Sequence, residues 1–317
     1  ARATGLSAAT VSNIVRELKD GGTVEVTPTS AEGFDRAEQL VTRLIAATGI
    51  GRDKVIGVGL GVPGPIDVSS GLLGSTSILP GWSGINPAEE LSRRLGVPVH
   101  VDNDANLGAL GELVWGSGRG VKDLAYIKVA SGVGAGLVID GRVYRGPGGT
   151  AGEIGHITLD ESGPVCRCGN RGCLETFTAA RYVLPLLMPS HGPDLTMERV
   201  VQLARAGDPG CRRVIADVGR HIGSGIANLC NLLNPSRVVL GGDLAEAGEL
   251  VLAPIRDSVS RYAIPSAARQ LSLAQGALGG RAEVLGALAL VLSEMGDSTL
   301  LESALPIAAP TSTPAFT

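Results

Sequence analysis

Residues 153–175, EIGHITLDESGPVCRCGNRGCLE, place one of the chain's four histidines and three of its five cysteines between two glutamates. His156, Cys166, Cys168 and Cys173 follow one another at intervals of ten, two and five. That spacing lets a loop fold back until one imidazole nitrogen and three thiolates converge as a tetrahedron, for which Zn²⁺ is the natural occupant. Gly169 and Gly172 fall where a chain bending around an ion needs backbone angles that only glycine adopts without strain. The competing arrangement, three buried or disulfide-bonded cysteines beside an unrelated histidine, leaves one sulfur over. One histidine and three cysteines leave no open position for water, so the expected metal is structural. The reactive groups would then be the carboxylates of Glu153 and Glu175, carried on a loop that the ion fixes.

The elements that must position such a loop are read from hydrophobic patterning. Residues 55–60, VIGVGL, form a continuous apolar strand, expected to be buried on both faces of a largely parallel sheet. It ends in the turn GVPGPID at residues 61–67, and ligands of open α/β sheets bind at the carboxyl ends of strands. A helix over residues 87–95 and a strand over 97–101 follow, and that strand delivers Asn103 and Asp104 just before a helix that Asp104 or Asn106 could cap. By position alone, capping and ligand binding are both open. Residues 123–146 alternate strands with glycine turns and predict a three-stranded meander opening a second domain. Within it, Gly132, Gly134 and Gly136 of SGVGAG could present amides to a phosphate or could be a glycine-rich hairpin turn. Shorter helices over 180–188 and 197–206 lead to a long one over 210–233, broken by Asn234-Pro235. A buried strand over 238–242 ends in Gly241 and Gly242, and an apolar helix over 282–295 should return to the first domain. Residues past 303 are rich in Pro, Ala and Thr and read as a tail.

At the other end, Ser7 is a good N-cap, and Val11, Ile14, Val15 and Leu18 make one apolar helical stripe stopped by Gly21-Gly22. The opposite face carries Thr10, Ser12, Asn13 and Arg16, side chains able to reach base edges and phosphates from a major groove. Up to Val26 three basic residues face three acidic ones, a weak balance for a DNA binder.

The formal charge of −4 over 317 residues excludes a globally basic nucleic-acid surface, so any DNA contact must be local. An apolar fraction of 44% and a mean hydropathy of +0.24 argue for a folded chain with sizeable cores. With no run of 18 apolar residues and no signal pattern, the expected location is the cytoplasm, without a membrane partner.

The runs E-x-G-H and C-x-C-G-x-x-G-C-x-E resemble the signature of the ROK family of repressors and sugar kinases, and the likeness extends over about residues 55–292. The resemblance implies an α/β, actin-like (RNase H-like) two-lobed sugar-kinase fold with an N-terminal winged helix-turn-helix fragment. It implies metal binding by His156, Cys166, Cys168 and Cys173, and sugar binding by Asn103, Asp104, Glu153, His156 and Glu175. Asp104 would be the catalytic base of a kinase, because the attacking hydroxyl loses its proton during phosphoryl transfer. Gly132, Gly134, Gly136, Gly241 and Gly242 would line Mg-ATP. Ser7, Thr10, Ser12, Asn13 and Arg16 would face operator DNA.

The expected organisation is a DNA-reading module over 1–27, a first lobe over 28–120 joined by a helix at about 281–296, a second lobe over 121–280, and a tail over 302–317. The expected function is a sugar-responsive repressor acting as a homodimer or homotetramer, with a sugar or sugar phosphate as effector; the alternative is an ATP-dependent hexose kinase. The family's Asp-x-Gly-Gly-Thr phosphate turn does not occur before Val55. Its opening hairpin is missing too, and a sheet without first strands exposes an unpaired edge. A segment omitted near residues 27–30, within a longer protein, is the expectation.

Overall fold

A computed structural model describes residues 30–74 and 79–294. The DNA-reading residues expected at Ser7, Thr10, Ser12, Asn13 and Arg16 lie outside the described residues.

Two sheets organise the described residues. In the smaller, β1 (Val58–Val62) runs parallel to β2 (Val99–Asn103), in a register that sets Val62 beside Asn103. The connection is α2 (Pro87–Leu95), whose first amides are capped by Asn86 Oδ1 and which Gly96 terminates in the left-handed region. Leu91 and Leu95 of α2 join Phe34 of α1 (Ser30–Thr48), Trp82 and Val99 in one small apolar cluster. The Phe34 and Trp82 rings meet at 4.3 Å.

The expectation of a doubly buried first strand is corrected here. Val58 and Leu60 are only partly buried, and Ile56, just before β1, is 48% exposed. Among the described residues β1 pairs on one side only, so its outer edge lacks the covering that a central strand receives.

The larger sheet has the order β5-β4-β3-β6-β7. The meander β3 (Leu124–Val129), β4 (Val133–Ile139) and β5 (Arg142–Tyr144) is antiparallel, while β6 (Arg237–Gly241) and β7 (Ser272–Gln275) add in parallel. Side chains alternate across it. Ala125, Ile127, Val238 and Leu240 enter one core, whereas Leu124, Tyr126 and Val239 enter another.

The first core is closed by a helical layer: α4 (Leu174–Thr178), α5 (Ala180–His191), α6 (Met197–Arg205), α7 (Pro209–Leu233), α8 (Glu249–Tyr262) and α9 (Pro265–Gln270). Asp208 caps α7 and Asn234 ends it at φ 47. The second core lies under α3 (Asp104–Trp115) and α10 (Ala282–Glu294). These two helices pack on each other; α10 also packs on β1 and α3 on β3 and β4, so the pair joins the sheets. At Gly136 of β4 an added Cβ would lie 2.3 Å from the Ala105 carbonyl of α3. No helix among the described residues is long and apolar enough to cross a membrane.

Candidate metal centre and interlobe site

After β5 the chain returns along β4, where Ala135 N donates to Gly152 O, and then enters the cysteine loop. The loop is a miniature hairpin held by Cys166 N to Asn170 O and Gly172 N to Pro164 O. Gly169 and Gly172 have φ of 93° and 58°, and a Cβ on Gly172 would lie 1.6 Å from Asp160 O. That geometry is what the sequence predicts at both positions.

The ligating atoms of His156, Cys166, Cys168 and Cys173 all lie within 4.8 Å of one another. Bond lengths of ~2.3 Å to sulfur and ~2.0 Å to nitrogen give tetrahedral edges of roughly 3.8 Å between sulfurs and roughly 3.5 Å between sulfur and nitrogen. The Cys168 and Cys173 sulfurs are 3.7 Å apart, and His156 Nδ1 is 3.6 Å from Cys166 Sγ. All the cysteines are free thiols, so the disulfide alternative is not the one the chain adopts. Burial, then the neighbouring Cys168 and Cys166 sulfurs, push the Cys173 thiol up to about 12. Such crowding of sulfurs is relieved by a cation, so the donor set fits a metal ion.

The loop aims its remaining groups at the end of β2. His156 turns Nδ1 to the sulfurs and Nε2 toward Glu153 Oε2, 3.6 Å away. Burial raises the Glu153 carboxyl above the usual glutamate value; His156 and Arg167 oppose that rise, and Glu175 and Asp104 add to it. Glu153 therefore lies within electrostatic reach of both Glu175 and Asp104. Glu175 is 0% exposed, with Oε1 paired to Arg181 and Oε2 held by Arg167 Nη2 at 2.8 Å. The carboxylate predicted to face a sugar thus has both oxygens engaged by guanidinium groups.

Asn103 caps α3. Its Oδ1 accepts from Ala105 N and Asn106 N, and its Nδ2 donates to Gly64 O. This corrects the expectation that Asp104 or Asn106 would be the cap, and it ties the turn after β1 to the start of α3. Asp67 in that turn accepts from the hydroxyls and amides of Ser69 and Ser70, which lower its carboxyl to about 2.

Asp104, freed from capping, pairs through Oδ2 with Lys128 Nζ at 2.8 Å; the same ammonium meets Glu283 Oε1 at 2.9 Å. Burial would depress the Lys128 ammonium, but the Asp104 and Glu283 carboxylates outweigh it and raise its pKa. Behind this trio, Asp102 accepts Arg145 Nε and Nη2 on Oδ2 and Asn106 Nδ2 on Oδ1.

Lys128, Glu283, Arg167 and Asp102 were not singled out from the sequence. The signal for Lys128 was available: a lone cation inside the apolar run LAYIKV must find partners if that strand is buried.

The glycines expected to cradle ATP divide. Gly134 and Gly136 lie within β4, paired with Lys128 and Tyr126 of β3, so the glycine-rich stretch is chiefly strand rather than phosphate loop. Gly136 is explained by the close approach of α3. Gly132 is in the turn, where a Cβ would sit 3.0 Å from Glu175 Oε2. Gly241 ends β6 and packs on Tyr126, and Gly242 follows at φ 80° against the Val129 backbone.

Known proteins resemble this chain in sequence and in fold. The chain is 35% identical over 254 residues to the xylose repressor of Caldicellulosiruptor bescii, a match covering 76% of this chain and 63% of that protein. It is 37% identical over 251 residues to a glucokinase of Halalkalibacterium halodurans, covering 74% of this chain and 76% of that one. Its fold is similar to that of a ROK family glucokinase from Streptomyces griseus, solved in complex with glucose and AMPPNP. That likeness has a TM-score of 0.75 at 30% identity and covers 85% of this chain and 90% of the other. The fold is thus the actin-like fold of ROK sugar kinases and regulators. The ROK family profile itself matches residues 16–294. With the cysteine loop, the joined sheets and this match over most of its length, the chain belongs to the ROK family.

Proposed function

We propose that the chain is a sugar-responsive transcriptional repressor that binds operator DNA through residues 1–27 and a sugar or sugar phosphate between its lobes. Residues 28–120 with 281–296 form the first lobe, and 121–280 the second. Asn103, Asp104, Glu153, His156 and Glu175 surround the effector, and a structural Zn²⁺ held by His156, Cys166, Cys168 and Cys173 fixes the loop. The protein works in the cytoplasm as a homodimer or homotetramer.

The observation that carries this reading is the Lys128 bridge. A general base must be free to accept the proton of the attacking hydroxyl, and here the Asp104 carboxylate is held by an ammonium at 2.8 Å that Glu283 shares. A carboxylate so placed is suited to accept a hydrogen bond from a sugar hydroxyl rather than to drive its transfer. Arg167 supports effector binding: its Nη2 holds Glu175 beside Gly132, while its buried Nε has no hydrogen-bond partner and leaves a donor for a sugar oxygen. Effector control requires that the sugar bind two lobe arrangements with different affinity. The bridge from β3 to α3 and α10 is a contact that could differ between them.

The second reading, an ATP-dependent hexose kinase with Asp104 as base, is favoured by the aspartate at the end of β2 and by the 37% identity to a glucokinase. Mobility shifts of the protein on its own upstream DNA, titrated with a panel of sugars and sugar phosphates, separate the two. A shift that one sugar reverses without ATP supports the repressor; DNA binding that no sugar alters would remove the effector site from regulation.

A further inference from the structure

A second cluster of metal-ligating side chains lies away from the cysteine loop, on helices that the effector site does not use. His191 is the last residue of α5, Asp208 caps α7, and Cys211 stands in the first turn of α7. His191 Nε2 is 3.3 Å from Asp208 Oδ2 and 3.9 Å from Cys211 Sγ, and the three ligating atoms all lie within 4.8 Å of one another. A tetrahedral ion bonded at ~2.0 Å to nitrogen and oxygen and ~2.3 Å to sulfur has edges of roughly 3.3 Å and roughly 3.5 Å for these pairs. The first is met, and the second needs a side-chain adjustment of a few tenths of an ångström.

Groups outside the trio already orient two of the ligands. His191 Nδ1 lies 3.1 Å from the Leu187 carbonyl, which can only accept, so Nδ1 carries the proton. In the neutral ring Nε2 is then a bare lone pair, facing a carboxylate oxygen. Asp208 Oδ1 accepts the Cys211 amide at 2.8 Å, which leaves Oδ2 to point at the histidine. Two acceptors at 3.3 Å repel each other, and a cation between them, either a second proton on the imidazole or a metal ion, turns that contact favourable. Imidazoles that bind metals characteristically give their other N–H to a backbone carbonyl, as here. Cys211 adds a sulfur, is 0% exposed and forms no disulfide.

We propose that His191, Asp208 and Cys211 bind a divalent transition-metal ion of the Zn²⁺ class, distinct from the ion of the cysteine loop. The mixed nitrogen, oxygen and sulfur set excludes Mg²⁺ and Ca²⁺, which take oxygen ligands. Three protein ligands leave one coordination position for water or a small exogenous ligand. The ion ties the end of α5 to the start of α7 across the intervening α6.

The test is metal stoichiometry on the full chain, loaded with Zn²⁺ and, in parallel, Co²⁺, then freed of excess ion. Two equivalents per chain are expected. Cys211→Ser should halve the bound zinc, and Asp208→Asn should do the same while keeping an N-cap, because asparagine caps as well as aspartate. Cys168→Ser should remove the other equivalent and leave this one. Circular dichroism of Asp208→Asn separates loss of the ion from loss of the fold. One equivalent in the wild type at saturating zinc, or two retained in both Cys211→Ser and folded Asp208→Asn, overturns the proposal and assigns the His191–Asp208 contact to an imidazolium–carboxylate pair.

Discussion

The five-stranded sheet and the two-stranded sheet hold their parts of the site by different means. The larger sheet is covered on both faces, and the loop it supports is cross-tied by the chain's own side chains. Four metal-competent donors converge there, and Glu175 is clamped by Arg167 and Arg181. Among the described residues the smaller sheet pairs β1 on one side only, and its apolar cluster draws on α1, α2 and the Trp82 segment. Asn103 and Asp104, at the end of that sheet, take their position from α3, which the larger sheet and α10 hold. One lobe is thus preset, and the other is referenced to it through α3, α10 and the Lys128 bridge. In the proposed repressor, a ligand bound between pre-set groups and groups referenced to them would report its presence by favouring one lobe arrangement.

Substitutions should separate the two regions. The largest effect is expected for Cys173→Ser, which removes a donor from a buried closed set. The metal of the loop should be lost, with destabilisation on the order of several kcal/mol because binding energy at structural sites is folding energy. Metal analysis together with limited proteolysis within residues 157–173 checks this. Glu175→Ala leaves two guanidinium groups facing each other across a buried void and should cost about 3–5 kcal/mol in the transition of the larger sheet. Chemical denaturation measures it.

Phe34→Ala, in the small cluster, should cost about 3 kcal/mol. If the lobes are as different as their cores, it moves an early transition and leaves the later one in place. A single transition displaced as a whole would show that α3 and α10 couple the lobes too tightly for the contrast to hold.

A smaller effect is expected from pH. Glu112 is buried at the end of α3, where it accepts from Ser117 N, Ala277 N and Leu278 N, and burial raises its pKa above the ordinary glutamate value despite those amides. The folded chain therefore keeps this proton to higher pH than the unfolded chain. Its contribution is fully present below the unfolded value and is lost as pH rises through the raised folded one. Denaturation midpoints of wild type and Glu112→Ala, followed from pH 4 upward, should converge partly as pH rises; a gap that widens over that window contradicts this assignment.

Much of this architecture was legible from residue spacing. The helices expected over 87–95 and 210–233 are α2 and α7, Asn234-Pro235 ends the second as expected, and the cysteine intervals placed the metal-competent cluster. These are local signals, written within a few residues of what they specify. What escaped was set by partners distant in the chain. VIGVGL looked doubly buried because periodicity reports apolarity and not how many neighbours a strand finds. SGVGAG read as either a phosphate cradle or a hairpin turn, because nothing local says that α3 crosses β4 at Gly136. Lys128 and Glu283 meet although far apart in the chain, and nothing local to Glu175 says that Arg167 and Arg181 hold its oxygens.

The central claim is that Asp104, held by Lys128, receives a sugar without driving phosphoryl transfer. A single-turnover assay with excess protein, Mg-ATP and a sugar shown by calorimetry to bind tests it most directly. The account predicts sugar bound at one per chain and no phosphorylated sugar within the time a hexose kinase would need for many turnovers. Stoichiometric sugar phosphate, abolished by Asp104→Asn, would contradict it and make the chain a kinase.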